Sequence, residues 1–68
     1  MTEVELRGEF VELYKILKFE GLVASGGEAK AMIEQGEVSV NGQKETRKRR
    51  KIVSGDSVEY AGQKLEVL

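Results

Sequence analysis

Residues 44–51 read KETRKRRK: six cations (Lys44, Arg47, Lys48, Arg49, Arg50 and Lys51) stand against one acid, Glu45. Arginine's planar fork bridges two oxygens of one phosphate, and lysine adds a compact point charge. The chemistry such a stretch can do is therefore the recognition of a polyanion. The whole chain holds 11 basic and 12 acidic residues, a net charge of −1. The octapeptide alone carries +5, so the other 60 residues carry −6. A concentrated positive site on an acidic body attracts a polyanion while the acids elsewhere discourage unselective sticking. A solvated charge run and a nuclear-import tag are the plainer readings of eight basic-rich residues. The stretch lies between two strand-like segments, where folding should pin it down rather than leave it free as a tag.

Other chemistries lack parts. With no cysteine and no histidine among 68 residues there is no thiolate nucleophile, disulfide or zinc knuckle, and the commonest general base is missing. The carboxylates fall in no apolar context that would raise a pKa. Neither G-x-x-x-x-G-K-[ST] nor G-x-G-x-x-G occurs, and so short a chain would struggle to enclose a pocket of enzyme size. No catalytic residue, metal ligand or cofactor is therefore assigned. At 40% hydrophobic residues the chain can build one small core. No apolar run approaches the roughly 20 residues of a membrane crossing, and the acidic start is unlike a signal peptide. A single cytoplasmic domain acting as a monomer, away from membranes, is expected.

The elements that must position the cations follow from periodicity. Val4 and Leu6 alternate with Glu5 and Arg7, which predicts a short strand ending near Gly8. Phe10, Leu13, Tyr14 and Leu17 recur at helical spacing, widened by Ile16, and Gly21 is a left-handed stop. Ser25-Gly26-Gly27-Glu28 reads as a capping box, with Glu28 reaching back to the serine N–H. The second helix sets Ala29, Met32, Ile33 and Gly36 on one face, and small Ala29 lets it approach the first closely. After Gly36 the period becomes two: Val38 and Val40, the Asn41-Gly42 turn, Ile52-Val53, Val58 and Tyr60, the Ala61-Gly62 turn, then Leu65 and Val67. The expected class is α+β, a two-helix hairpin covering a small, mostly antiparallel sheet that also receives the N-terminal strand.

Individual residues carry two roles each at this level. Lys30 is a defensible phosphate contact, or else pairs with Glu34 four residues on. Lys15 and Lys18 are solvated helix residues first and peripheral contacts second. The Ser25–Gly27 start invites an anion, but Glu28 competes for the same amides, so capping comes ahead. Asn41 is a turn-former whose amide could also reach a ribose. Phe10 and Tyr14 are assigned to the helix core and Tyr60 points inward. Phe19 is expected to pack under the Gly21 turn, leaving no aromatic platform for stacking bases.

The combination of SGGEAK at 25–30, VSVNG at 38–42, ETRKRRK at 45–51 and Gly55-Asp56 resembles the S-four-like RNA-binding domain. That domain, also called the alpha-L motif, is named after small-subunit ribosomal protein four, and the likeness is to its small stand-alone bacterial branch. It spans roughly residues 9–60, and four motifs in order are hard to produce by chance. The resemblance implies binding of structured ribosomal or transfer RNA, and it extends the list of partners to the ribosome. It assigns contacts to Ser25, Gly26, Gly27 and Lys30 at the second helix, Asn41 at the turn, and Arg47, Arg49, Arg50 and Lys51 in the loop; Lys44, Lys48 and Lys18 extend the basic face. Many members place arginine directly after the serine where this chain has Gly26, so one phosphate contact is lost and the basic run compensates. About four neutralised phosphates would give a salt slope near −3 to −4. A protein adaptor docking on an acidic partner, and a duplex DNA binder, are the alternatives.

Overall fold

The change of hydrophobic period at Gly36 divides the computed structural model, which describes residues 2–68, into a helical and a strand-rich half. Helix α1 spans Leu13–Phe19 and helix α2 spans Gly26–Glu34. Each ends on a glycine in the left-handed region, Gly21 at φ 74° and Gly36 at φ 80°. The closing bonds are those of a Schellman motif. Gly21 and Leu22 donate to the Lys18 and Leu17 carbonyls, and Gly36 and Glu37 donate to those of Ile33 and Met32. At the start of α2 the Glu28 N–H donates to Ser25 Oγ at 3.1 Å. The Glu28 carboxylate accepts from Ala24 N–H at 2.7 Å, one residue earlier than the serine amide the capping box predicts.

Five strands form one sheet in the order β1-β7-β6-β3-β4: β1 Thr2–Val4, β3 Val38–Val40, β4 Gln43–Lys44, β6 Ser57–Tyr60 and β7 Gln63–Val67. Only β1 against β7 is parallel; the other pairings are antiparallel. A separate two-stranded ribbon pairs β2 (Val11–Glu12) with β5 (Lys51–Ile52). Leu13, Ile16 and Leu17 of α1 and Ala29 and Ile33 of α2 close over Val38, Val40, Ile52, Val58, Leu65 and Val67, all buried. Full burial of one such aliphatic side chain contributes about 1.5–3 kcal/mol. Ala29, with no exposed surface, allows the two helices to meet closely.

The N-terminal half departs from expectation in three places. The first strand stops at Val4 rather than near Gly8, because its partner β7 ends at Val67 and Leu68 N–H closes the pair on the Val4 carbonyl. Helix α1 begins at Leu13, after Val11 and Glu12 have paired with β5, so Phe10 lies outside the helix and is 42% exposed. Phe19 is 68% exposed rather than tucked under the Gly21 turn.

Both tight turns place their first residue in the left-handed region, Asn41 at φ 53° and Ala61 at φ 52°. Asparagine tolerates that backbone; alanine's Cβ is strained there. Ala61→Asn is expected to stabilise the protein by about 0.5–1 kcal/mol, read as a rise in the urea midpoint with an unchanged slope.

Candidate nucleic-acid interface

The first helix leaves amides without intrahelical partners, and the basic loop satisfies two of them. Leu13 N–H donates to the Arg50 carbonyl at 2.9 Å and Tyr14 N–H to the Lys48 carbonyl at 3.1 Å. The side chain of Glu12, at the N-cap, makes no capping bond. The β2–β5 ribbon continues this seam, with Glu12 opposite Lys51. The cationic stretch is thus tied along the start of the helical hairpin by its own backbone.

Its one acid organises the arginines. Glu45 is buried, with 6% exposure. Its Oε1 accepts from Arg47 N–H at 3.0 Å and Arg47 Nε at 3.1 Å, while Oε2 accepts from Arg47 Nη2 at 3.0 Å and Arg50 Nη1 at 2.8 Å. These bonds, led by the Arg47 side chain, outweigh desolvation and lower the carboxyl from an ordinary 4.5 to about 2. The Arg47 guanidinium is correspondingly held further toward its charged form. Glu45 subtracts one charge but fixes two guanidinium groups, of which Arg47 remains largely exposed and Arg50 about one-third exposed.

The remaining cations are placed individually. Arg49 reaches Glu12 at 3.3 Å, and Lys15 reaches the same carboxylate at 3.1 Å. Lys48 crosses to Glu34 of α2 at 3.0 Å, taking the acid expected for Lys30. Lys30 instead lies 4.6 Å from the centroid of the Tyr14 ring, with Arg49 at 5.3 Å and Lys15 at 5.9 Å. A Cβ built at Gly26 would touch that same ring at 3.7 Å, which places the Ser25–Gly27 start beside it. Lys51 lies over Phe10 at 4.9 Å. The Lys44 stem runs against Gly36 at the end of α2, its Cδ 3.0 Å from where a Cβ would sit.

The structure therefore gathers Lys30, Gly26 and Arg49 around Tyr14 at the start of α1, with Lys51 over Phe10 and Lys48 on Glu34 of α2, while the Arg47 and Arg50 guanidinium groups turn to Glu45. Lys18 is exposed in the last turn of α1, one turn beyond Tyr14 on the same side. Asn41 stands apart and its amide makes two internal bonds: Nδ2 donates to Asp56 at 3.0 Å and Oδ1 accepts from Ser57 N–H at 2.9 Å. It pins the β3–β4 turn to the start of β6, and the exposed side chain keeps one N–H and one carbonyl lone pair beyond these two bonds.

Sequence reasoning misses Tyr14, Glu12 and Glu34 as parts of this face. Helical spacing assigns Tyr14 to the core, and the half-buried side chain does pack against it; its hydroxyl, which needs a polar partner or water, is the signal for its second role on this face. Phe10 is misplaced, because its helical spacing to Leu13 and Tyr14 conceals the β2–β5 pairing. Among the described residues no group of three metal-ligating side chains occurs, and no helix is long and apolar enough to cross a membrane.

A helical hairpin on a small sheet, with a cationic loop fastened to its open end, is an alpha-L fold. The chain belongs to the S4 domain family, whose model matches residues 4–68. It is 50% identical over 58 residues to YbcJ of Escherichia coli (strain K12), covering 85% of this chain and 83% of that one. The solution structure of the E. coli YbcJ protein, described as an alpha-L motif involved in RNA binding, superposes with a TM-score of 0.76 at 45% identity. That match covers 100% of this chain and 87% of the other. RlbA of Bacillus subtilis (strain 168), described as a probable ribosome maturation protein, is 36% identical over 59 residues, 87% of this chain and 83% of that one. The tyrosine–tRNA ligase of Bordetella pertussis is 39% identical over 64 residues, 94% of this chain but only 16% of the ligase.

Glu45→Gln is expected to cost about 1–3 kcal/mol in a urea melt, because neutral glutamine keeps the volume but loses charge-assisted bonds. The depressed carboxyl also fixes the sign of a pH effect. Its contribution is complete above about pH 5 and lost as pH falls from 4.5 toward 2. The Glu45→Gln variant should show a shallower loss of stability over that window; identical acid titrations would contradict the hold of Arg47 and Arg50 on the buried Glu45 carboxylate.

Proposed function

We propose that the protein is a non-catalytic RNA-binding module that docks structured RNA, ribosomal or transfer, on the face built from the 47–51 loop and the helical hairpin. The observation that carries the reading is the backbone seam from Leu13 and Tyr14 to the Arg50 and Lys48 carbonyls. It gives the cations fixed positions, as recognition of folded RNA by shape and backbone requires. Family membership and the descriptions of YbcJ and RlbA support RNA as the partner and the ribosome as the place of action. Arg49, Lys48, Lys51 and Lys30 supply the phosphate contacts in this reading. Arg47 contributes its exposed outer edge, and Arg50 chiefly positions the loop through Glu45. Lys44 and Lys18 lie at the periphery, Ser25 and Gly27 shape the hairpin, and the monomer acts in the cytoplasm.

Alanine at Arg47 or Arg50 would strip partners from buried Glu45 and confuse folding with binding. The cleaner variant is Lys48→Ala/Arg49→Ala/Lys51→Ala, which leaves that cluster whole. Binding to a ribosomal RNA hairpin should weaken at least tenfold, and the salt slope should become shallower by about two to three, at roughly 0.7–0.9 per phosphate lost. The circular dichroism spectrum should not change. Unchanged affinity in a folded triple variant would refute the assignment, and equal competition by duplex DNA would remove RNA from it.

A further inference from the structure

Three cationic side chains meet at the Tyr14 ring, and one acid ties two of them together. Arg49, Lys15 and Lys30 present their charges within 5.9 Å of the ring centroid. Glu12 bridges the first two, at 3.3 and 3.1 Å. Among the described residues no carboxylate lies within ion-pair distance of Lys30. The group is thus three cations on an aromatic floor with a single anion between two of them. Glu12 makes no capping bond, so its side chain is not needed to start the helix. Its side chain is partly covered, yet about one-fifth remains open to water, and two ion pairs hold its carboxylate where four hydrogen bonds hold that of Glu45.

We propose that Lys15, Lys30 and Arg49, gathered by Tyr14, form one phosphodiester-binding subsite, and that Glu12 occupies it in the free protein and is displaced when RNA binds. The inference deepens the RNA-binding reading and rests on it. Magnitudes favour the exchange. An exposed ion pair to a carboxylate shifts an equilibrium by about fivefold at most. A phosphate offers the Arg49 fork two oxygens and brings its own negative charge to a site whose cations outnumber its acid. Tyr14 is a positioning residue here: its ring holds the three cationic heads together although they repel one another. Glu45 differs in kind, because it is buried under four hydrogen bonds and stays in place.

The distinguishing result is a gain of affinity on removing one specific acid. In fluorescence anisotropy with a labelled 16-base-pair RNA hairpin, Glu12→Gln should bind about three- to fivefold tighter than the unmodified protein, the combined exchange of its two solvent-screened ion pairs. Glu59→Gln, an exposed acid on β6 that joins no ion pair among the described residues, controls for the general loss of negative charge and should change binding less than about 1.5-fold. Tyr14→Leu should weaken binding, because the cations lose their common floor. A second arm titrates inorganic phosphate into ¹⁵N-labelled protein and follows the Tyr14 and Lys15 amides and Arg49 Nε, which should shift more in Glu12→Gln than in the unmodified protein. If RNA binds and Glu12→Gln gains no more than Glu59→Gln, the subsite is wrong and the RNA-binding reading survives. If the RNA hairpin does not bind while phosphate shifts those signals, the subsite stands for phosphate and the RNA-binding reading falls. No response to either ligand overturns both.

Discussion

Cations crowded into one loop repel each other, and the structure is arranged around holding them in place. Two unit charges about 6 Å apart in water oppose one another by roughly 0.7 kcal/mol, and eight residues here carry six of one sign. Left to itself such a segment would extend and move. Buried Glu45 reverses this locally, drawing Arg47 and Arg50 onto one carboxylate. The Lys48 and Arg50 carbonyls then satisfy the first amides of α1. Charge repulsion is thus opposed from inside by one acid and from the side by a helix end that needed acceptors.

The acids of this face do two different things. Glu45 is enclosed and committed, and its low pKa is the sign of that commitment. Glu34 is exposed and Glu12 partly so, and they engage Lys48, Arg49 and Lys15 by pairs that solvent reaches. In the function proposed above, a partner must outcompete these carboxylates, and the acidic balance of the chain would weigh against isolated charges and in favour of phosphates at fixed spacing.

Much of this is legible in the residues. Period-two valines, Asn41-Gly42 and Ala61-Gly62 define the hairpins, and Gly21 and Gly36 close the helices where expected. The basic run stands out by composition, and its confinement beside the helices follows from lying between strands. What periodicity does not show is the β2–β5 ribbon. Two paired residues are too short to leave a pattern, yet that pairing delays the helix to Leu13, exposes Phe10 and turns Tyr14 toward the loop. The partners of Lys30, Lys48 and Asn41 are equally hidden, because each is a contact between distant segments. Local spacing proposes Glu34 for Lys30; the fold gives Glu34 to Lys48.

The most direct measurement is an NMR map of backbone amide shifts on adding a structured ribosomal RNA fragment to the ¹⁵N-labelled protein. Shifts concentrated at Tyr14, Lys30 and residues 47–51, with β7 and the Ala61-Gly62 turn undisturbed, are the expected result. Shifts centred on the sheet, or spread evenly over the molecule, would contradict a single preformed face on the loop and the helical hairpin.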